Sequence, residues 1–296
     1  PRLAAWARTL RSSAVWPVAA APSGEAGAAP PTPPPPSSRA RLVFLGTPAP
    51  AAAILTCLLD AAAAPGAAFE VAAVVTQPAK RQGRGRKAAP PSPVAALALS
   101  RGFAADGGGE GRAAGGPPAP RPLLLTPASA SDPSFLAALA ALSPDLCITA
   151  AYGLILPPAF LATPRVGTLN LHPSLLPRWR GAAPVARALE AGDARTGISL
   201  AWTVSALDAG PLLAVEESDV PPDATAPALL DRLMAAGARL LLSRLPSALA
   251  FPDAASAMAS ATPQDDTGRA PSHAPRLSKA EAGLDFTGRG GGLTKV

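Results

Sequence analysis

The chain has 296 residues, enough for one large domain or two modest ones, and its 48% hydrophobic content is dominated by alanine, with only 4% aromatics. Two cysteines and two histidines exclude a disulfide framework, a four-cysteine zinc site and a histidine-rich metal site, and no stretch approaches the ~18 uninterrupted apolar residues of a membrane span. The net charge of +6 is concentrated in an arm (residues 1–40, +3) and a loop (residues 76–93, +5), which points to local anionic partners rather than a basic fold.

Residues 1–29 carry Arg, Ala and Ser with a single acid, interleaved with Leu3, Trp6, Leu10, Val15 and Trp16. That is the composition of an organellar transit peptide, or otherwise of an alanine-rich tail. Pro30 to Ser38 (PPTPPPPSS) is a polyproline linker that marks the start of a domain. Leu42–Leu45 then reads as a strand, followed by Gly46-Thr47-Pro48 and an Ala/Leu helix to about Ala64, with Phe69–Thr76 as the next strand. Strand, helix, strand at this spacing is a βαβ unit and predicts a parallel sheet. Leu123–Leu125, Leu146–Ala150 and Thr168–Leu171 read as further strands, with helices over Asp132–Leu142 and Pro157–Leu161. A helix over Ala182–Ala191, strands over Gly197–Val204 and Pro211–Val215, and a long amphipathic helix over Ala226–Leu249 complete the domain. The alternation predicts an α/β fold, a doubly wound and mostly parallel sheet spanning residues 39–250. Residues 104–122 are low in complexity and read as a surface insertion. Periodicity is lost after Phe251, so residues 251–296 read as a mobile linker, with little to bury.

Three features carry chemistry. Gly46-Thr47-Pro48 ends a strand and opens a helix, where backbone amides can hold an anion or simply make a tight turn. It is not a G-x-G-x-x-G dinucleotide fingerprint. Asn170 and His172 lie two apart, so both project from one face of a strand end while Leu169 and Leu171 project into the core. Strand C-termini border the ligand crevice of a parallel α/β fold, so the pair suits oxyanion binding and proton handling; a mutually satisfied polar pair is the plain alternative. Lys80, Arg81, Arg84, Arg86 and Lys87 sit in eight positions without an acid, which suits a polyphosphate partner, most simply RNA. Trp179, flanked by Arg178 and Arg180, adds groups that can stack or bind anions.

The run NLHPSLLPRWRGAAPV, residues 170–185, resembles the signature of the folate-dependent formyltransferases, specifically the branch that acts on methionyl-tRNA. Leu42–Pro48, Thr76–Pro93, Ala150–Pro157 (AAYGLILP) and Ala191–Leu213 fit the same family in order, so the resemblance covers about Arg41 to Phe286. It implies a Rossmann-like core and transfer of a formyl group from 10-formyltetrahydrofolate, without a metal, to the methionine amine of initiator tRNA. By the same resemblance Asn170, His172 and Asp208 are catalytic. Ser174, Leu175, Leu176 and Pro177 lie beside the folate, and the five basic loop residues with Arg178 and Arg180 contact tRNA. Two departures stand out. Around the aspartate the family reads GLDTGD, whereas this chain reads Ala206-Leu207-Asp208-Ala209-Gly210-Pro211, without a hydroxyl or second acid. The family also continues into a second, mostly β domain after a segment like Arg276–Phe286, which the resemblance implies is largely missing here. The expectation is a monomeric organellar enzyme, mitochondrial or plastid, with no membrane partner. Its rivals are a glycinamide ribonucleotide formyltransferase, a formyl-folate hydrolase, or an inactive RNA-binding fragment.

Overall fold

Strand β1 (Ala40–Gly46) is apolar throughout Leu42–Leu45 because it lies at the middle of the sheet, with those residues buried on both faces. The computed structural model describes residues 39–79, 89–105, 122–278 and 281. The N-terminal arm, the five cations of the basic loop and most of the low-complexity insertion lie outside them. Helix α1 (Ala49–Ala62) follows β1 directly, with proline in its first turn, where the missing N–H costs nothing. β2 (Phe69–Val75) pairs parallel with β1, completing the expected βαβ unit. Ser92 then caps α2 (Pro93–Ser100) by accepting from the Ala95 N–H, and Asp132 caps α3 (Pro133–Leu142) in the same way through Ser134. Between them lie β3 (Ala104–Ala105) and β4 (Leu123–Leu125). The chain continues through β5 (Leu146–Ala150), α4 (Pro158–Leu161) and β6 (Gly167–His172). The short β7 (Arg180–Gly181), α5 (Pro184–Glu190), β8 (Arg195–Trp202), β9 (Leu212–Asp219) and α6 (Ala226–Leu249) follow.

The eight-stranded sheet runs β3-β4-β2-β1-β5-β6-β8-β9, parallel throughout except that β8 is antiparallel to both of its neighbours. α1, α2 and α6 bury one face over Leu42, Phe44, Ile148, Leu169 and Leu171. α3 and α4 bury the other over Val43, Leu45 and Cys147. The doubly wound α/β architecture is therefore as expected. β1 and β5 are adjacent although the chain leaves β1 in the opposite direction, so the sheet's switch point lies at their C-terminal ends. No helix among the described residues is long and apolar enough to cross a membrane.

One expectation fails. Residues 252–278 are not a loose linker. Helix α7 (Ala254–Ala259) buries Ala257 in the main core, a 3-10 turn covers Gln264–Thr267, and β10 (His273–Ala274) pairs parallel with β7. Single buried residues anchor this strap, and they leave no periodicity for a sequence pattern to register. The folded unit thus extends beyond residue 250 to at least Ala274.

Candidate active site

Asn170 and His172 stand at the C-terminal end of β6, on the face opposite Leu169 and Leu171, as the period-two pattern requires. Thr149, the register partner of Asn170 on β5, donates its hydroxyl to Asn170 Oδ1 at 2.8 Å. That fixes the amide's orientation and turns Nδ2 toward Asp208, whose Oδ1 accepts at 3.3 Å. Nδ2 carries a second hydrogen, which has no partner among the described residues.

Asp208 lies on the turn between β8 and β9 at φ +47°, an unusual value for a non-glycine residue. Gly210 makes the turn possible. A Cβ there would stand 1.7 Å from the Trp202 carbonyl oxygen, so no larger residue fits without moving the turn. The aspartate's Oδ2 accepts the Gly181 N–H at 2.9 Å. Gly181 is held at φ +125° against the strap, where a Cβ would meet the Ala274 carbonyl oxygen at 2.7 Å. The hydroxyl and acid absent from this turn are therefore not needed to place the carboxylate.

The imidazole is held by the backbone of the neighbouring loop. His172 Nε2 donates to the Trp179 carbonyl at 2.8 Å, whereas Nδ1 faces Asp208 Oδ2 across 3.7 Å, too far for a hydrogen bond. A carbonyl only accepts, so Nε2 carries a proton, and Nδ1 is the ring nitrogen turned toward the carboxylate. The two groups face each other, both largely buried. Burial pushes the Tyr152 hydroxyl up to about 12, so it is neutral near pH 7.

The formyl transferase family profile matches residues 40–245, more than half of the chain. The chain belongs to the formyl transferase family. It is 42% identical over 247 residues to the methionyl-tRNA formyltransferase of Chromohalobacter salexigens, covering 83% of this chain and 66% of the relative. The corresponding enzyme of Mycobacteroides abscessus is 45% identical over 205 residues, covering 69% and 58%. The phosphoribosylglycinamide formyltransferase structure from Brucella melitensis superposes with a TM-score of 0.54 at 26% identity, covering 71% of this chain and 96% of that one. The chain spans about two thirds of the length of the first curated relative.

Within this formyl transferase core, the segment Ser174–Pro177 forms a buried turn. The Ser174 and Leu176 side chains are fully enclosed. The Ser174 hydroxyl donates to the Arg178 carbonyl at 2.6 Å, and Ser199 Oγ bridges the Ser174 carbonyl and the Leu176 N–H. Only half-buried Leu175 and the backbone remain to meet a ligand. Arg178 forks onto Asp193 and stacks over the Trp179 ring at 5.0 Å, and the indole N–H also donates to Asp193. Arg180 forks onto Gln264. Both arginines are thus engaged within the protein. Lys80, Arg81, Arg84, Arg86 and Lys87 lie outside the described residues. Sequence reasoning missed Thr149, the Trp179 carbonyl, Gly181 and Gln264, none of which carries a local signal: each acts through a contact made only when distant segments meet.

Proposed function

We propose that this chain transfers a formyl group from 10-formyltetrahydrofolate to the methionine amine of initiator methionyl-tRNA. The observation that carries the reading is the convergence of the unpartnered Asn170 N–H, Nδ1 of His172 and the Asp208 carboxylate beside the sheet's switch point. The methionyl-tRNA formyltransferases among the relatives support the choice of acceptor.

The folate would lie at the site's edge. The loop after β5 leaves Ile155 86% exposed, and Leu207, beside Asp208, is 60% exposed. Large exposed apolar side chains on these loops suit a flat heteroaromatic ring system. Ile155, Leu207 and Leu175 would hold it, with backbone groups of residues 151–157 and 174–177, and it would supply the activated formyl carbon.

The residues act in sequence on that carbon. As the amine nitrogen attacks, the formyl oxygen becomes an oxyanion and Asn170 donates its unpartnered N–H to it. His172 Nδ1 takes the proton released by the nitrogen, and Asp208 stabilises the imidazolium. When the bond to the folate nitrogen breaks, His172 returns the proton to that nitrogen. Atoms and charge balance without a metal. An oxyanion donor of this kind contributes about 3–4 kcal/mol to the transition state.

Lys80, Arg81, Arg84, Arg86 and Lys87 would bear on the tRNA phosphates, and the monomer would act in an organelle, the mitochondrion rather than the plastid. The deciding assay supplies the purified chain with 10-formyltetrahydrofolate and either charged initiator tRNA, glycinamide ribonucleotide or water as acceptor. Formyl-methionyl-tRNA as the main product supports the reading, and preference for either other acceptor overturns it. For location, residues 1–38 should carry a fluorescent reporter into mitochondria; a cytosolic reporter overturns that part.

A further inference from the structure

Gln264 is only 4% exposed and lies in the strap, outside the residues matched by the family profile. Its side chain uses its full hydrogen-bonding capacity. Nε2 donates to the carbonyls of Asp208 and Gly210, both at 2.8 Å, and Oε1 accepts from Arg180 Nε at 2.9 Å and Nη2 at 2.6 Å.

These four bonds join two turns. One carries Asp208 at its unusual φ of +47°. The other, residues 178–181, supplies the Trp179 carbonyl that holds His172 and the Gly181 N–H that holds Asp208. Ser272 of the same strap fixes that second turn from outside, its hydroxyl accepting the Trp179 N–H at 2.9 Å and its carbonyl the Arg180 N–H at 2.9 Å. Gln264 thus ties together the turns that hold the His172 imidazole and the Asp208 carboxylate while touching neither of those groups.

We infer that Gln264 is a positioning residue for formyl transfer, setting the Asp208 carboxylate against the His172 imidazole through the Asp208–Gly210 turn and Arg180. The inference rests on the proposed function for its kinetic consequence, but not for its geometry. Only a neutral amide serves here: two carbonyls need donors while a guanidinium needs an acceptor. Glutamate has the same shape and keeps the acceptor for Arg180, but it sets a carboxylate against two carbonyl oxygens.

The test uses the full chain with Gln264→Met, and Gln264→Glu as a second variant should the first fail to fold. A small misplacement of reacting groups costs up to about 10²-fold, so kcat should fall about 10–100-fold while KM for 10-formyltetrahydrofolate stays within about twofold. In an Asp208→Asn background the same substitution should cost less than about twofold, because the group it positions is already gone. Hydrogen exchange of the Gly181 amide, whose acceptor is Asp208 Oδ2, should accelerate at least about tenfold while the amides of β1 and β5 keep their rates. A loss that multiplies undiminished in the Asp208→Asn background, or a Gly181 exchange rate that does not change, overturns the inference. The exchange readout needs no substrate. A wild-type chain inactive on charged tRNA sinks the proposed function, while Gly181 still decides the role of Gln264.

Discussion

Replacing Asn170 by alanine removes the group that the proposed chemistry depends on most directly. Its Nδ2 has one hydrogen committed to Asp208 at 3.3 Å and one left for the developing oxyanion, so the variant loses a complete donor in the transition state. Loss of one such donor costs about 10²–10³ in kcat. The folded state should suffer little: Asn170 is half-buried, and the Thr149 hydroxyl it abandons keeps a second acceptor, the Leu169 carbonyl, at 3.3 Å. A stability loss of about 1 kcal/mol is expected. Asn170→Asp sharpens the test, because it retains volume and charges the wrong group. A carboxylate at that position would face Asp208 at hydrogen-bond distance with no donor to give, so it should be at least as slow as the alanine variant near pH 7. Thr149→Val removes only the hydroxyl that aligns the amide, about 1 kcal/mol, and should cost roughly fivefold. Single-turnover transfer to radiolabelled methionyl-tRNA at saturating formyl donor separates the chemical step from binding. An alanine variant within threefold of wild type, or an aspartate variant faster than alanine, would refute the donor role.

Gly210→Ala should abolish activity and lower the melting temperature, since its Cβ would stand 1.7 Å from the Trp202 carbonyl oxygen and the Asp208 turn must move; a wild-type rate would show that this turn does not control the carboxylate. Substituting Lys80, Arg81, Arg84, Arg86 and Lys87 by alanine should weaken tRNA binding and flatten its salt dependence while KM for the folate stays within about twofold; equal loss of both affinities would mean the loop supports the fold. The Ser278 N–H and hydroxyl, with Arg187 beside them, pull Glu281 down to about 2 from its ordinary 4.5. A carboxylate depressed in the folded state stabilises above its unfolded value, so this contact is complete above pH 4.5 and is lost as pH falls toward 2. Amide exchange around Ser272–Ala274 should be constant from pH 8 to 5 after correction for intrinsic rates, and accelerate only below that range; strap release between pH 8 and 6 would assign the anchor to another group.

The parallel strands were legible because burial on both faces writes them as unbroken apolar runs, as in Leu42–Leu45 and Leu146–Ala150. α6 was legible from its amphipathic period over 24 residues. β9 was read too short. As the sheet's edge it continues through Glu216, Glu217 and Ser218, polar residues that carry no strand signal although they pair with Ile198, Gly197 and Thr196. The strap was misread for a related reason. Ala257, Gln264 and Ala274 anchor it singly, each against a segment distant in sequence, and isolated anchors leave no pattern to count.

The site divides along the same line. Asn170 and His172 declare themselves because two polar residues alternate with two core leucines in one strand. Asp208 does not: nothing in Ala206–Pro211 distinguishes it from other surface acids, and only the family resemblance singled it out. What neither route supplied is the way the imidazole is held. A carboxylate that accepted the Nδ1 proton of His172 would leave Nε2 to meet the substrate. Here the Trp179 carbonyl accepts the Nε2 hydrogen bond instead, and Asp208 stands 3.7 Å from Nδ1, itself held by Gly181 and Asn170. In the proposed transfer the attacking amine delivers its proton to Nδ1, and the imidazolium so formed faces the Asp208 carboxylate as the nitrogen sheds that proton. That change favours the transition state over the ground state, the condition for raising kcat rather than merely tightening binding. It also explains why the turns on either side are tied so firmly. The effect depends on a gap of a few ångströms, and Gln264, Gly181 and the strap are the parts that hold it open.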